Sequence, residues 1–301
     1  MKTAVTLTSS IPVYIPTFNN PTYLTNFVKQ LELNGVRNIV VVDNNSTYPP
    51  MKECLSTIEQ KYKVIRLDKN FGPHYLLRIK EVYDSLPDLF CLSDPDLELS
   101  RNLPQNFINE LLIISNDHGV GKVGPALEIP SLNEVLHPHL FLDGKVVDIV
   151  EYENQFWRNK VGKSKHDDDL YLTTLDTQFA LYNKAFFDPA DRYPAIRVAG
   201  RFTSRHLSQL KNSILPTEEV EFYKSTTRYS YFGGNLNSDG QPSFEISVLE
   251  YTKMVEQIQS LEAQIIDLDS KIQEQNNLIQ GIFQSKRWRL ISTMLRILGR
   301  K

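Results

Sequence analysis

The sequence predicts an α/β domain with a mostly parallel central sheet, followed by a C-terminal coiled-coil helix and an amphipathic tail. Three observations predict it. The first hundred residues alternate β-branched or apolar runs with helix-period segments bounded by Pro and Gly. Residues 251–282 carry an apolar seam with a seven-residue repeat. Residues 285–301 set an apolar half against a cationic one.

Residues 11–16 read as the first strand and 21–34 as a helix, with Pro21 at its start and Gly35 just past its end. Residues 37–43 (Arg-Asn-Ile-Val-Val-Val-Asp) form the unbroken β-branched run of a strand buried on both faces. A helix over 49–60, a strand over 62–67, a helix over 73–85 and a strand over 89–93 complete a βαβαβαβ pattern. In such sheets ligands sit beyond the C-terminal strand ends. Those ends, 16–20, 43–46, 68–73 and 93–96, are all polar here. Another helix is expected over 103–117, and 120–232 mixes short strands with aromatic-rich loops. The expected organisation is a domain over 1–232, a Gly/Asn/Ser-rich linker over 233–244, a coiled coil over 245–284 and a tail over 285–301.

In the coiled coil, Tyr251, Ile258, Ile265, Ile272 and Ile279 take the a positions, and Met254, Leu261, Leu268, Gln275 and Ile282 the d positions. Ile at a with Leu at d favours a parallel dimer, so a homo-oligomer is expected; the alternative is one long helix packed on the body. The tail holds six basic residues and no acid. Removing those six from the net charge of −3 leaves −9 on residues 1–284. So acidic a body argues against a nucleic-acid partner, because phosphate contacts need cationic surface. In the tail, Trp288 and its apolar neighbours with flanking cations fit a helix lying on an anionic membrane surface. The alternative is docking on the protein itself or on a partner chain.

With 301 residues, 41% of them hydrophobic and 23% charged, the chain is neither collagen-like nor disordered throughout. No apolar run reaches the ~18–20 residues of a membrane span. The N-terminus reads into the first strand rather than as a signal peptide. Two distant cysteines, Cys54 and Cys91, suit a reducing compartment. The expected location is therefore cytoplasmic, peripheral on the inner face of the cell membrane.

The sharpest chemical signal is Ser93-Asp94-Pro95-Asp96 after the apolar run Leu89-Phe90-Cys91-Leu92. In extended chain Asp94, Asp96 and Glu98 project to one side. Two carboxylates at a strand end suit a hard divalent cation that completes its shell with phosphate oxygens. The alternative is a polar turn into the next helix. Likewise Asp43 either serves a ligand or forms an Asx turn after its strand.

The order Ile-Pro-Thr-Phe-Asn-Asn (15–20), Val-Val-Val-Asp-Asn-Asn-Ser (40–46), Asn-Phe-Gly-Pro (70–73) and Asp-Pro-Asp (94–96) resembles the nucleotide-sugar half of GT-A-fold (Rossmann-like) glycosyltransferases, most of all family 2. The resemblance covers roughly residues 10–232 and is strongest in the first hundred. It implies a nucleotide diphosphate sugar donor held by Pro16, Thr17, Asn19, Asp43, Asn44, Asn70, Gly72, Arg78 and Asp94, with Thr17 and Asp43 at the base and ribose and Arg78 at the phosphates. It implies Mn2+ or Mg2+ on Asp94 and Asp96, with His206 completing the site. The family's Glu-Asp pair has no clear copy, so Asp176 is the first candidate for the general base and Glu219 the second. Tails of Ser-x-x-Trp-Arg type are similar to those of bacterial surface-polysaccharide enzymes, which implies a glycan or lipid-linked acceptor. The rival readings are a nucleotidyltransferase of similar fold and a non-catalytic coiled-coil membrane scaffold.

Three motifs read as decoys. Gly119, Gly121 and Gly124 match G-x-G-x-x-G but follow a helix, where a dinucleotide site needs a strand. His137 and His139 lack a third ligand nearby. Residues 163–169, rich in Lys and Asp, read as a solvated or mobile loop that closes over substrate in the alternative reading.

Overall fold

The structure is a computed structural model and describes residues 10–136, 138–142, 145–175, 178–189, 194–211 and 214–226, with individual positions between 264 and 299. The chain divides into two compact units, Met1–Ser243 and Phe244–Lys301.

In the first unit, β1 (Val13–Thr17), α1 (Pro21–Leu33), β2 (Ile39–Asp43), α2 (Pro49–Glu59) and β3 (Lys63–Arg66) follow the expected alternation. The helix expected over 73–85 divides at Ile79, which is extended (φ −95°, ψ 112°), into α3 (Tyr75–Arg78) and α4 (Lys80–Ser85). Next come β4 (Leu89–Leu92), β5 (Leu97–Glu98), α5 (Phe107–His118) and β6 (Lys122–Pro125). The hairpin of β7 (His139–Leu142) and β8 (Lys145–Asp148) leads into α6 (Ile149–Asn154). The unit continues through β9 (Lys160–Lys163), β10 (Asp169–Thr173), β11 (Ala180–Asn183), β12 (Ala195–Val198) and β13 (Arg205–His206), and α7 (Thr217–Thr226) follows.

One nine-stranded sheet runs β3-β2-β1-β4-β11-β6-β12-β10-β9. The expectation of a mostly parallel sheet is corrected here. β3 through β4 form a parallel block and β6 and β12 a further parallel pair; β11 enters antiparallel between β4 and β6, and β10 and β9 are antiparallel again. Among the described strand pairings, four are parallel and six antiparallel. The physical reason lies in the connections. Helical crossovers build the first half, whereas β9 and β10 join through a tight turn, which only antiparallel strands allow.

Strand alternation divides the core between the two faces. Val41, Cys91, Leu181, Ile196 and Val198 face the layer of α1, α2 and α5 with Phe27, Leu31 and Phe107. Val42, Phe90, Leu92, Tyr182 and Ala195 face the opposite layer with Leu76 and Leu86. The loop before β11 returns to the C-terminal end of β4, since Ala180 pairs with Leu92. Polar loops from both halves of the sheet thus meet at one edge.

In the second unit the described residues from 264 to 294 are helical, with Lys271 and Asp267 paired at 2.7 Å. The described seam residues Ile265, Leu268 and Ile272 are 54–59% exposed, and Leu290 and Met294 are exposed as well. The remaining apolar seam positions lie outside the described residues. Among the described residues no helix is long and apolar enough to cross a membrane.

Candidate active site

The polar ends of the parallel strands are stitched into one platform. Asn19 sits at φ 52°, a left-handed conformation that Asn tolerates. Its backbone N–H donates to Ser46 Oγ (2.9 Å), and its Oδ1 accepts from the backbone N–H groups of Thr47 (2.8 Å) and Tyr48 (2.9 Å). Asn19 therefore locks the loop after β1 to the loop after β2. Thr17 Oγ1 donates to Asn20 Oδ1 (2.6 Å), and Pro16 lies opposite Val42 in the β1–β2 register. Asp43 Oδ1 accepts from the Ser46 N–H (3.1 Å), three residues on, one residue further than an Asx turn reaches. Asn44 Oδ1 accepts from the Phe71 N–H (3.2 Å), tying in the loop after β3. There Asn70 Oδ1 accepts from the Gly72 N–H (2.8 Å), with Gly72 at φ 80°. Thr17, Asn19, Asp43 and Asn44 are buried. Arg78, at the end of α3, lines a cavity of about 460 Å³ with Leu77, Lys122, Leu175 and Phe187.

The acidic motif follows β4. Its far side is β5, which pairs antiparallel with β13, so His206 lies opposite Leu97. The Leu207 N–H donates to the Asp96 carbonyl oxygen (2.8 Å) and closes that ladder. A 110-residue separation is thereby reduced to contact, and His206 Nε2 lies 3.0 Å from Asp96 Oδ2. Burial alone would push the Asp96 carboxyl up, but the charge and hydrogen bond of His206 outweigh it and hold it low. Burial would likewise depress the His206 imidazole. The charge and hydrogen bond of Asp96 overcome this, with smaller help from the charges of Asp94 and Glu153, and push it up to about 9. The other Asp96 oxygen, Oδ1, is buried without a hydrogen-bond partner among the described residues. An unused buried carboxylate oxygen, a second carboxylate two residues away and an imidazole fit a divalent cation. As the side chains stand, Asp96 and His206 form an ion pair, and no group of three His, Cys, Asp or Glu side chains among the described residues closes on one metal position.

Asp176 lies outside the described residues. Its neighbour Gln178 is buried, with Nε2 donating to the Pro125 carbonyl (2.9 Å). Glu219 is buried at the foot of α1, where its oxygens accept from the Thr22 N–H (3.2 Å) and Thr22 Oγ1 (2.6 Å). Both oxygens thus serve the N-terminal turn of α1, whose own cap residue Asn20 makes no side-chain cap bond. Burial pushes the Glu219 carboxyl up, partly offset by Thr22.

Sequence reasoning missed two buried ionic clusters. Arg197 emerges from β12 onto the face of Ala195 and lies over the Phe156 ring (3.8 Å) and 3.6 Å from Glu153. The signal was there to read, since an arginine inside an apolar strand requires a buried partner. The second cluster corrects the reading of 163–169 as a solvated or mobile loop only at its end: Lys163, Lys165, His166 and Asp167 are exposed, as a solvated loop would be, but Asp168 is not. Asp168 is buried, accepts from Ser164 Oγ (2.9 Å), and grips Arg201 through its backbone N–H (3.0 Å) and Nη2 (2.7 Å). Arg201 also reaches Glu110 on α5 (2.7 Å). The glycine motif resolves as packing. Gly119 ends α5 in the left-handed conformation, and a Cβ on Gly121 or Gly124 would collide with the backbone of Phe187 or Phe179. His137 and the side chain of His139 lie outside the described residues.

This arrangement defines an α/β domain of GT-A type, with a polar, acid-bearing edge at the strand ends. Residues 13–122 match the model of glycosyl transferase family 2, and the expected resemblance holds over that segment. No curated protein matches the chain. Among solved structures, that of GalNAc-T7 with UDP, GalNAc and Mn2+ is similar at 16% identity and TM-score 0.42, over 80% of this chain and 53% of that one. The chain therefore spans about half the length of that relative. The structure of S. aureus TarS 1-349 is similar at 13% identity and TM-score 0.42, over 82% and 78% of the two chains. HddC from Yersinia pseudotuberculosis follows at 9% identity and TM-score 0.35, over 64% and 92%. Likenesses this distant assign no residue of the site.

Proposed function

We propose that the chain is a metal-dependent, inverting glycosyltransferase. It moves a hexosyl or N-acetylhexosaminyl group from a nucleotide diphosphate sugar to a lipid-linked glycan in surface-polysaccharide biosynthesis. The observation that carries this reading is the contact of His206 with Asp96 at 3.0 Å, in the Asp94–Asp96 motif after β4, a motif that lies within the segment matching family 2. The donor lies over the platform of Thr17, Asn19, Asp43, Asn44, Asn70 and Gly72, with Arg78 toward the phosphates. A divalent cation on Asp94 and Asp96 would offset the charge of the departing diphosphate. The acceptor hydroxyl attacks the anomeric carbon, the bond to the diphosphate oxygen breaks, and a carboxylate takes the hydroxyl proton. Asp176 is ranked first for that task because Thr22 occupies both oxygens of Glu219.

The second unit serves location. Its exposed seam pairs with a second copy as a coiled coil, and the basic tail lies on anionic lipid, each cation adding ~1 kcal/mol near the surface. The enzyme then works at the cytoplasmic leaflet, where a lipid-linked acceptor is within reach.

Thermal unfolding with UDP, GDP, CDP or CMP, each with and without Mn2+, tests the reading. A ligand at a hundredfold excess over its Kd adds ~2.7 kcal/mol. The expected result is stabilisation by one diphosphate that needs the metal and is lost in Asp94→Asn. No shift with any nucleotide would favour the scaffold reading instead.

A further inference from the structure

Glu153 lies on α6, far in sequence from every motif that points to the site. Its side chain is 4% exposed. Oε1 accepts from Gln209 Nε2 (3.1 Å), three residues beyond His206. Oε2 lies 3.6 Å from Arg197 Nη1 and has no hydrogen-bond partner among the described residues. Arg197 in turn donates from Nε to the Thr174 carbonyl oxygen (2.9 Å), two residues before Asp176 in sequence. One buried carboxylate therefore links two walls. On one side is the segment that carries His206 against Asp96; on the other is the segment that leads to Asp176.

Stability alone is a poor reason for this pair. Desolvating two charges costs several kcal/mol per ion, and attraction repays that only with close, hydrogen-bonded geometry. At 3.6 Å the Glu153–Arg197 contact is too long for a hydrogen bond. Phe156 against the Arg197 guanidinium shows that the place would suit an apolar side chain. What the pair supplies and apolar residues cannot is a charge-to-charge link between one side chain hydrogen-bonded to Gln209 and another hydrogen-bonded to Thr174.

We propose that Glu153 is a positioning residue that, through Gln209 and Arg197, holds the acceptor-side segment at Thr174 in register with the His206–Asp96 pair. The proposal rests on the glycosyltransferase reading for its kinetic consequence, since a misplacement of about 1 Å between reacting groups costs roughly 100-fold in rate.

The test is the paired substitution Glu153→Met with Arg197→Met, which replaces the ions by apolar groups of similar reach. Turnover is read as UDP or GDP released from UDP-glucose, UDP-N-acetylglucosamine and GDP-mannose with Mn2+, the sugar passing to water as the acceptor. Amide hydrogen exchange is followed over 170–175 and 204–211. The double variant should unfold within about 5 °C of the parent and keep its donor KM within about twofold, while kcat falls about 10- to 100-fold. Exchange should quicken in both segments together. Parental kcat and exchange in the double variant would overturn the proposal, because the pair would then be packing only. Glu153→Gln keeps the acceptor for Gln209 but removes the charge facing Arg197. It should show a smaller kcat loss with unchanged KM, and it decides the matter if the double variant does not fold. If the parent releases nucleotide from none of the three donors, the glycosyltransferase reading fails by itself. The exchange data then decide: joint quickening supports the link, and parental exchange in both segments overturns it.

Discussion

Replacing Asp168 by Asn removes one charge from a buried cluster and leaves the shape intact. Asp168 is 3% exposed and accepts from the Ser164 hydroxyl, the Arg201 backbone N–H and the Arg201 guanidinium. Removing one partner of a fully buried pair costs about 3–5 kcal/mol. Arg201 keeps Glu110 at 2.7 Å and is 32% exposed, so the cost falls to about 2 kcal/mol. For a folded body of this size that lowers the unfolding temperature by about 4–8 °C. Burial alone would raise the Asp168 carboxyl, but its hydrogen bonds to Arg201 and Ser164 and the charge of Arg201 hold it below the usual carboxylate range. A depressed carboxyl contributes its stability in full above the unfolded value, about 3.9, and loses it as pH falls toward the folded value. Thermal unfolding of parent and Asp168→Asn from pH 7 to pH 3 should show a constant gap down to about pH 4 and a closing gap below it. Equal unfolding temperatures at pH 7, or a gap as wide at pH 3 as at pH 7, would refute the reasoning.

The other predictions follow from single contacts. Glu219→Ala uncaps α1 and should cost about 1–2 kcal/mol by calorimetry. Because burial raises the Glu219 carboxyl, its ionisation weakens the fold as pH rises above the unfolded value of about 4.3, so Glu219→Gln should match or exceed the parent at pH 7. Gly124→Ala drives a methyl into the Phe179 carbonyl oxygen and should cost about 3 kcal/mol or prevent soluble expression. The full chain should sediment as a dimer and bind anionic vesicles, whereas a chain ending at Ser243 should be monomeric and stay off them. A monomeric full chain would sink the coiled-coil proposal.

Much of the parallel half of the fold was legible. Val40 to Asp43 and Leu89 to Leu92 are short apolar runs between polar punctuation, and local periodicity is enough to mark such strands. The break at Ile79 was not legible, because residues 73–85 keep helical composition throughout. Nor was the antiparallel half, where short strands of mixed polarity such as β9 (Lys-Val-Gly-Lys) carry little period. In the candidate site, the Asp94–Asp96 motif is legible through its place after an apolar strand. His206 was expected near it, but the β5–β13 ladder that brings it to 3.0 Å has only two residues per strand and no local signature.

The sequence by itself determined the alternation of strand and helix, the polar strand ends and the acidic motif, because each depends on residues close together along the chain. Only the tertiary structure decided which charges would be buried together. Glu153 meets Arg197, Arg201 meets Asp168 and Glu110, and Glu219 meets Thr22, across 33 to 197 residues of chain. A charge leaves water only where a partner from elsewhere in the fold takes the place of solvent. No local pattern can name that partner.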